Sequence, residues 1–133
     1  MHKPKELQVI VPEEGLWLYR LLINPALGQE NYWPNAGIKG KKRMWPGGED
    51  WLSYLGISCW DDQEKALAQA EKFNPKWERK FGHPRWIAVG RFYVDGHRGH
   101  AYAWQPPIPG HHTAWGPSGE FFSSQDTVVP ILP

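Results

Sequence analysis

Glycine and proline are the residues that most restrict what this chain can fold into. There are 14 Gly and 13 Pro among 133 residues. Both residues interrupt regular secondary structure, so we expect many loops and few helices. A chain of this length fits one domain, residues 1–133, with a genuine core. The nine Trp residues can build that core from few elements, or several of them can line a pocket for a flat ligand.

The apolar pattern predicts an α+β protein, with a mainly antiparallel or mixed small sheet and one or two short helices. The first two strands are separated by the turn sequence PEEG, which can join them as a hairpin. The turn at Asp95-Gly96 precedes a return strand. The predicted strands are residues 7–11, 16–23, 52–60, 85–94 and 100–104, followed by short strands in HTAW and in EFFSSQDTVVPIL.

The segment DDQEKALAQAEKF carries the strongest helix signal. Asp61 is a suitable N-cap, and Glu64 three residues later completes a capping box. Asn74-Pro75 is predicted to end this helix. Asn74 then caps a second short helix that runs from Pro75 to Phe81 and stops at Gly82.

Charge and cysteine content exclude several classes of function. The net charge is +1, so no global field recruits nucleic acid or a membrane. A single cysteine, Cys59, excludes an internal disulfide and a Cys-rich zinc site, favours a reducing, cytoplasmic location, and is predicted to be a small core residue. The six histidines lack a metal-binding helical spacing, so we expect no metal. No apolar run is long enough for a signal peptide or a membrane span.

A basic loop occupies residues 37–51, GIKGKKRMWPGGEDW, and contains Lys39, Lys41, Lys42 and Arg43. It departs from the phosphate-binding P-loop pattern, which needs Lys-Ser/Thr and an immediate helix. The loop is either a solvated connection or a flap that binds an anion such as a dinucleotide pyrophosphate or RNA.

Four pieces in order suggest a nucleotide site. Arg20 lies inside the apolar strand WLYRLL, where an inward cation is costly unless it meets an anion. Tyr54 and Ser58 precede the capped helix, and Glu120 begins a predicted late strand. An Arg for pyrophosphate, an aromatic ring for nicotinamide and a Glu for a cationic transition state would suit NAD. Alternatively, Arg20 is an edge residue paired with Glu13 or Glu14, and the others are ordinary sheet and surface residues.

The segments LYRLL, YLGISCWDDQEKALAQAEKF and GEFFSSQDTVVP resemble the ADP-ribosyltransferase fold, including smaller bacterial relatives such as RES-type toxins. Glu71 matches a Glu that RES proteins carry at a similar place. The family's Ser-Thr-Ser is here Gly-Ile-Ser, and a lone Glu120 replaces its Gln/Glu-x-Glu motif. The resemblance implies cleavage or transfer at the nicotinamide–ribose bond of NAD. Arg20 and Glu120 would then be catalytic, and Tyr54, Ser58, Lys41, Lys42 and Arg43 would bind the cofactor.

Two other functions stay open. The protein can be a non-catalytic module whose basic, Trp-containing loop binds single-stranded nucleic acid or a protein. It can also be a protein that binds one partner, as an inhibitor or immunity protein does.

Overall fold

The structure, a computed structural model, describes residues 8–23, 28–34, 56–105 and 108–131. These residues form a six-stranded sheet in which all neighbouring strands are antiparallel, together with two α-helices and two 3-10 helices. The predicted loop-rich α+β class is confirmed. The strands are β1 (Leu16–Leu22), β2 (Ile57–Trp60), β3 (Ala88–Val94), β4 (Ala101–Trp104), β5 (His111–Trp115) and β6 (Thr127–Pro130), and the helices are α1 (Gln63–Phe81) and α2 (Ser118–Ser124).

The order across the sheet is β4-β5-β2-β1-β3-β6. Strand β1 is therefore central, and it pairs with β3 along its whole length, from Leu16 opposite Val94 to Leu22 opposite Ala88. Its pairing with β2 is limited to one position, Tyr19 opposite Trp60. The sheet consequently opens between β1 and β2 beyond that pair.

The sheet also curls. A flat sheet would separate β3 from β4 by about 19 Å, since four strand spacings of roughly 4.8 Å lie between them. Yet the N–H of Asp95, just after β3, donates to Nδ1 of His100, just before β4, at 3.0 Å. The predicted return of residues 100–104 onto β3 is wrong, because β4 pairs with β5, and β3 pairs with β1 and β6. The short connection instead joins strands that curling brings together.

Apolar side chains fill both faces of the sheet. On one face, Phe121 of α2 and Tyr32 of the 3-10 helix Gly28–Tyr32 pack with Leu18, Phe92 and other buried strand residues. On the other face, Ala66 and Ala70 of α1 pack against Leu21, Trp60 and Val89. The alternation along each strand explains this division, because successive side chains point to opposite faces.

Helix α1 is one continuous helix of 19 residues rather than the two predicted. Its N-cap is Asp62, one residue later than predicted, and Oδ1 of Asp62 accepts from the N–H groups of Glu64 and Lys65. Pro75 removes one main-chain donor but lies on the exposed side, where water can serve the freed carbonyl. The predicted stop at Gly82 is confirmed, with φ at +84°.

Two further predictions about strands are corrected. Within the described part of 7–11, only Ile10 pairs, through a single bridge to Tyr102 of β4, so no hairpin forms with β1. Glu120 does not begin a strand but lies in the first turn of α2. Phe121 of this helix is buried against Phe92, which favours a short helix over an extended segment here. Among the described residues, no helix is long and apolar enough to cross a membrane.

Candidate functional site

Arg20 lies at the gap between β1 and β2, with only 9% of its surface exposed. Its Nε donates to the main-chain oxygen of Asn31 at 2.8 Å, and its Nη1 donates to that of Ser58 at 2.7 Å. The guanidinium thus serves a carbonyl of β2 at a point where the β1–β2 ladder has stopped. The alternative that Arg20 is an edge residue is wrong, since β1 has a strand on each side.

The charge of Arg20 meets no carboxylate among the described residues. Its two hydrogen-bond partners are neutral carbonyls, and it takes part in none of the ion pairs that the described residues form. Burial lowers the pKa of Arg20 to about 10, and repulsion by Arg85 contributes less. The group therefore remains a cation at neutral pH. A buried cation without a counter-charge is unfavourable, and an incoming anion relieves that cost.

A cavity of about 270 Å³ opens beside Arg20, and residues of β1, β2, β5 and α1 line it. Two guanidinium groups, from Arg20 and Arg85, and the imidazole of His111 line it, together with the indoles of Trp60 and Trp86. The remaining described lining residues are neutral, and none is a carboxylate. The cavity therefore combines positive charge with flat aromatic walls, a combination that suits an anionic ligand carrying a ring.

Asn74 holds the segment that brings Arg85 and Trp86 to the cavity. Its Oδ1 accepts from the main-chain N–H groups of Arg85 and Trp86 at 3.1 and 3.0 Å, and its Nδ2 donates to the oxygen of Trp86 at 2.9 Å. Asn74 is buried inside α1, so these bonds fix the following loop to the helix. The guanidinium of Arg85 stacks 4.4 Å from the ring centre of Trp77, which restrains its direction.

His111 at the start of β5 has a defined tautomer. Its Nδ1 lies 3.3 Å from the main-chain oxygen of Gln105. A carbonyl can only accept a hydrogen bond, so Nδ1 carries the proton. Nε2 of the neutral ring is then able to accept a hydrogen bond or a proton. Burial lowers the pKa of His111 below its ordinary value of 6.5. Its ring packs against Trp60 at 5.1 Å between centroids, so an indole and an imidazole form one wall.

The indole of Trp60 adds an unpaired donor to that wall. Trp60 is 4% exposed, and its Nε1 has no hydrogen-bond partner within the described part of the chain. Buried indole N–H groups usually find an acceptor. This residue contributes both apolar surface and an unmet hydrogen-bond requirement next to the cavity.

Glu120 lies in a different cluster. Its Oε1 is 2.9 Å from Nε2 of the buried His100 and 3.8 Å from Nη1 of Arg98. Because Nδ1 of His100 accepts from the Asp95 N–H, Nε2 carries the proton and donates to Glu120. The ring of His100 also packs edge-on against Phe121 at 4.7 Å. This cluster is internally satisfied, and Glu120 is not among the described residues that line the cavity.

The structure brings two of the predicted site residues together, Arg20 and Ser58. It keeps Glu120 in the His100 cluster, and Glu71 lies exposed on α1. Cys59 is buried in the core as predicted, and burial raises the pKa of its thiol to about 12. The predicted cofactor residues Lys41, Lys42, Arg43 and Tyr54, with Lys39 of the basic loop, lie outside the described residues.

Sequence reasoning missed Arg85, Trp86 and His111 as site residues. Arg85 and Trp86 were read as the start of a buried strand, and His111 as a surface histidine. Asn74 was predicted to cap a second helix, so its contribution to the cavity was missed as well. Its side chain in fact binds the main chain of residues 85 and 86. Among the described residues, no group of three or more His, Cys, Asp or Glu could hold a metal ion.

Comparison with known proteins adds no assignment. Neither the protein-family models, nor the curated proteins, nor the solved structures give a match to this chain. The function is therefore argued from the cavity itself.

Proposed function

We propose that the cavity beside Arg20 binds a phosphate-bearing nucleotide, with NAD as the first candidate. One observation carries the proposal: Arg20 is a buried cation that faces a cavity and meets no described carboxylate. Structural arginines in a protein interior are normally paired with an acid. An Arg left without one is ready for an anion supplied by a ligand.

The rest of the lining favours a nucleotide over a simple anion. Arg85 supplies a second guanidinium, so two cations can share the oxygens of a phosphate or pyrophosphate. Trp60 and Trp86 supply apolar surface for a base or a nicotinamide ring. Ser58 can hydrogen-bond a ribose hydroxyl or an amide, since its side chain borders the same space.

The geometry supports binding more strongly than turnover. Cleavage at the nicotinamide–ribose bond builds positive charge on the sugar, which a carboxylate stabilises. The described lining contains no carboxylate, and Glu120 accepts a hydrogen bond from His100 instead. ADP-ribosyl transfer or NAD hydrolysis, with Arg20 and Glu120 as the catalytic pair, rests on the family resemblance and stays a prediction.

Calorimetric titration of the full chain tests the proposal. We expect saturable binding of NAD, and weaker binding of nicotinamide, which lacks the phosphates. Arg20→Gln should lower NAD affinity by roughly 30-fold, because a charge-assisted hydrogen bond is worth about 2 kcal/mol. The control is Arg98→Gln, which removes an exposed guanidinium outside the cavity lining and should change the affinity less than about twofold.

Two results would end the proposal. One is the absence of any heat or thermal shift with millimolar NAD, ADP-ribose, AMP or pyrophosphate. The other is an equal loss of affinity in Arg20→Gln and Arg98→Gln, which would locate the anion away from the cavity. Hydrolysis of NAD, measured as nicotinamide release, reports separately on turnover. The family resemblance predicts that Glu120→Gln abolishes it while keeping binding, whereas the position of Glu120 outside the described cavity lining predicts no effect.

A further inference from the structure

We infer that the C-terminal half of α1 carries a binding surface for single-stranded nucleic acid. This inference does not depend on what the cavity binds. It starts from the local charge: residues 72–85 contain five Lys or Arg residues and one acid, Glu78. Five cations less one acid give this segment a net charge of +4, which exceeds the +1 of the whole chain.

The cations are arranged along the helix. Lys72, Lys76 and Lys80 follow one another at a spacing of four residues, so they form a row on one side of α1, about 6 Å apart along the axis. All three are exposed. We call this row the lysine stripe. A row of phosphates along a single strand can contact such a row of ammonium groups one after another.

Helix stability does not account for the lysine stripe. Like charges at a spacing of four residues destabilise a helix by about 0.2–0.5 kcal/mol for each pair. None of the three lysines forms an ion pair with a described carboxylate, although Lys65 near the start of the same helix pairs with Asp61. The lysine of the N-terminal half of α1 is thus paired, whereas the three lysines of the stripe are in no ion pair with a described carboxylate.

Aromatic rings lie between these cations. Nζ of Lys72 and Nζ of Lys76 lie 5.6 and 5.7 Å from the ring centre of Phe73, and Nζ of Lys80 lies 5.5 Å from that of Phe81. Phe81 is 49% exposed and packs on Trp77 at 4.2 Å. Exposed rings interleaved with cations are how proteins bind the bases and the backbone of a single strand together.

A membrane surface fits this region less well than a nucleic acid. Interfacial helices insert an apolar face of large side chains below the headgroups. Residues 72–85 contain no Leu, Ile or Val, and their large apolar side chains, Phe73, Trp77 and Phe81, each lie beside a cation. The apolar face of α1 is used against the sheet through Ala66 and Ala70. A duplex would present its phosphates but would hide the base faces that Phe81 could stack on.

Fluorescence anisotropy with a labelled, mixed-sequence single strand of about 12 nucleotides tests the inference. We expect the single strand to bind more tightly than the matching duplex. A plot of the logarithm of the association constant against the logarithm of the salt concentration should have a slope of about −0.7 for each phosphate contact. Replacing Lys72, Lys76 and Lys80 together by Gln keeps good helix formers and should reduce affinity at least about 10-fold and flatten the slope by about 2.

Matched variants locate the effect. Lys65→Gln on the same helix should change affinity less than about twofold, because Lys65 is already paired with Asp61. Glu78→Gln should strengthen binding, because it removes the one acid among the cations. Circular dichroism establishes that the triple variant keeps its helix.

Three outcomes would overturn the inference. The first is equal binding by the wild type and the folded triple variant. The second is loss of binding only on changing Lys41 and Lys42, which would assign the strand to residues 37–51. The third is stronger binding to vesicles rich in phosphatidylserine than to the oligonucleotide, which would make the surface a membrane contact.

Discussion

Two polar clusters, the Glu120 cluster and the lining of the cavity, differ in how their charged groups are paired. In the Glu120 cluster, the His100 ring accepts from one main-chain donor and donates to one carboxylate. Among the described residues, Arg20 donates to two neutral carbonyls and lines the cavity together with Arg85. A cluster whose polar groups all have partners stabilises the fold. A buried charge without a counter-charge is unfavourable until an oppositely charged group binds it.

The comparison teaches that burial alone does not identify a functional site. His100 is 2% exposed and Arg20 is 9% exposed, so accessibility hardly separates them. They differ in whether each hydrogen-bond donor has an acceptor and each charged group has a group of opposite charge beside it. By that criterion the cavity is the proposed ligand site. The Glu120 cluster instead holds α2 against the connection that follows β3.

The largest expected effect is a loss of stability on removing His100 from the Glu120 cluster. His100→Ala should lower the free energy of unfolding by about 3 kcal/mol, because it removes a fully packed ring, leaves the Asp95 N–H without its acceptor and removes the closest donor to Glu120. Ligand affinity of the protein that remains folded should be unchanged. Chemical denaturation monitored by Trp fluorescence measures the first, and calorimetry the second.

The exposed His97 provides the control for this experiment. His97→Ala should change the unfolding free energy by less than about 0.5 kcal/mol. A loss of ligand affinity in His100→Ala, or a loss of NAD turnover in Glu120→Gln, would break the comparison. Either result would mean that the Glu120 cluster acts on the cavity after all.

Asn74 gives the next largest effect, and it connects the helix to the cavity. Asn74→Ala removes all three hydrogen bonds to residues 85 and 86, so Arg85 and Trp86 lose their support. We expect ligand affinity to fall about 10-fold, with a loss of stability of about 2 kcal/mol. Asn74→Asp keeps the acceptor for the two N–H groups and should recover most of the affinity.

That recovery separates positioning from general instability. If Asn74→Ala keeps the wild-type affinity, then Arg85 and Trp86 do not contribute to binding the cavity's ligand. If Asn74→Asp is as stable as the wild type but loses as much affinity as Asn74→Ala, the two N–H hydrogen bonds are not what positions these residues. Titration at a temperature well below both unfolding transitions keeps the two readouts independent.

The smallest effect is a pH dependence at His111. Its pKa in the folded protein lies below 6.5 because of burial, so the unfolded chain takes up this proton first as the pH falls. Stability should therefore decrease as the pH falls through 6.5 and level off below the folded-state pKa. His111→Gln should flatten this part of the curve.

An anionic ligand reverses the sign of this dependence. A bound phosphate favours the protonated ring, so ligand affinity should rise as the pH falls between about 7 and 5. The same His111→Gln substitution should remove that rise. An affinity that is independent of pH in the wild type would show that the ligand does not contact His111.

Parts of this architecture follow from local sequence patterns. The run WLYRLL predicts a buried strand with one inward cation, and β1 with Arg20 is that strand. The capping residues predict α1, and Gly82 ends it at a positive φ. These features succeed because they depend on neighbours within a few residues. Glu120 fails for the opposite reason, since Phe121 favours a helix only where Phe92 is present to pack on it.

The site itself could be predicted only in part. Arg20 and Ser58 were recognisable because a cation and a small polar residue stand out in apolar strands. Neither Arg85 nor His111 stands out in its local sequence. Both become recognisable as site residues only because the fold places them at one cavity. The position of Arg85 depends on Asn74, whose partners lie beyond the end of its own helix.

The sequence by itself determined the class of the fold, the position of the main helix and the presence of a cation in a central strand. Only the three-dimensional arrangement shows that this cation meets no carboxylate among the described residues, that β1 and β2 pair at a single position, and that Glu120 accepts from His100. The two differ because helix caps and periodicity depend on residues within about one helical turn in the sequence. The pairing of charges depends on residues that are far apart in the sequence and come together only on folding.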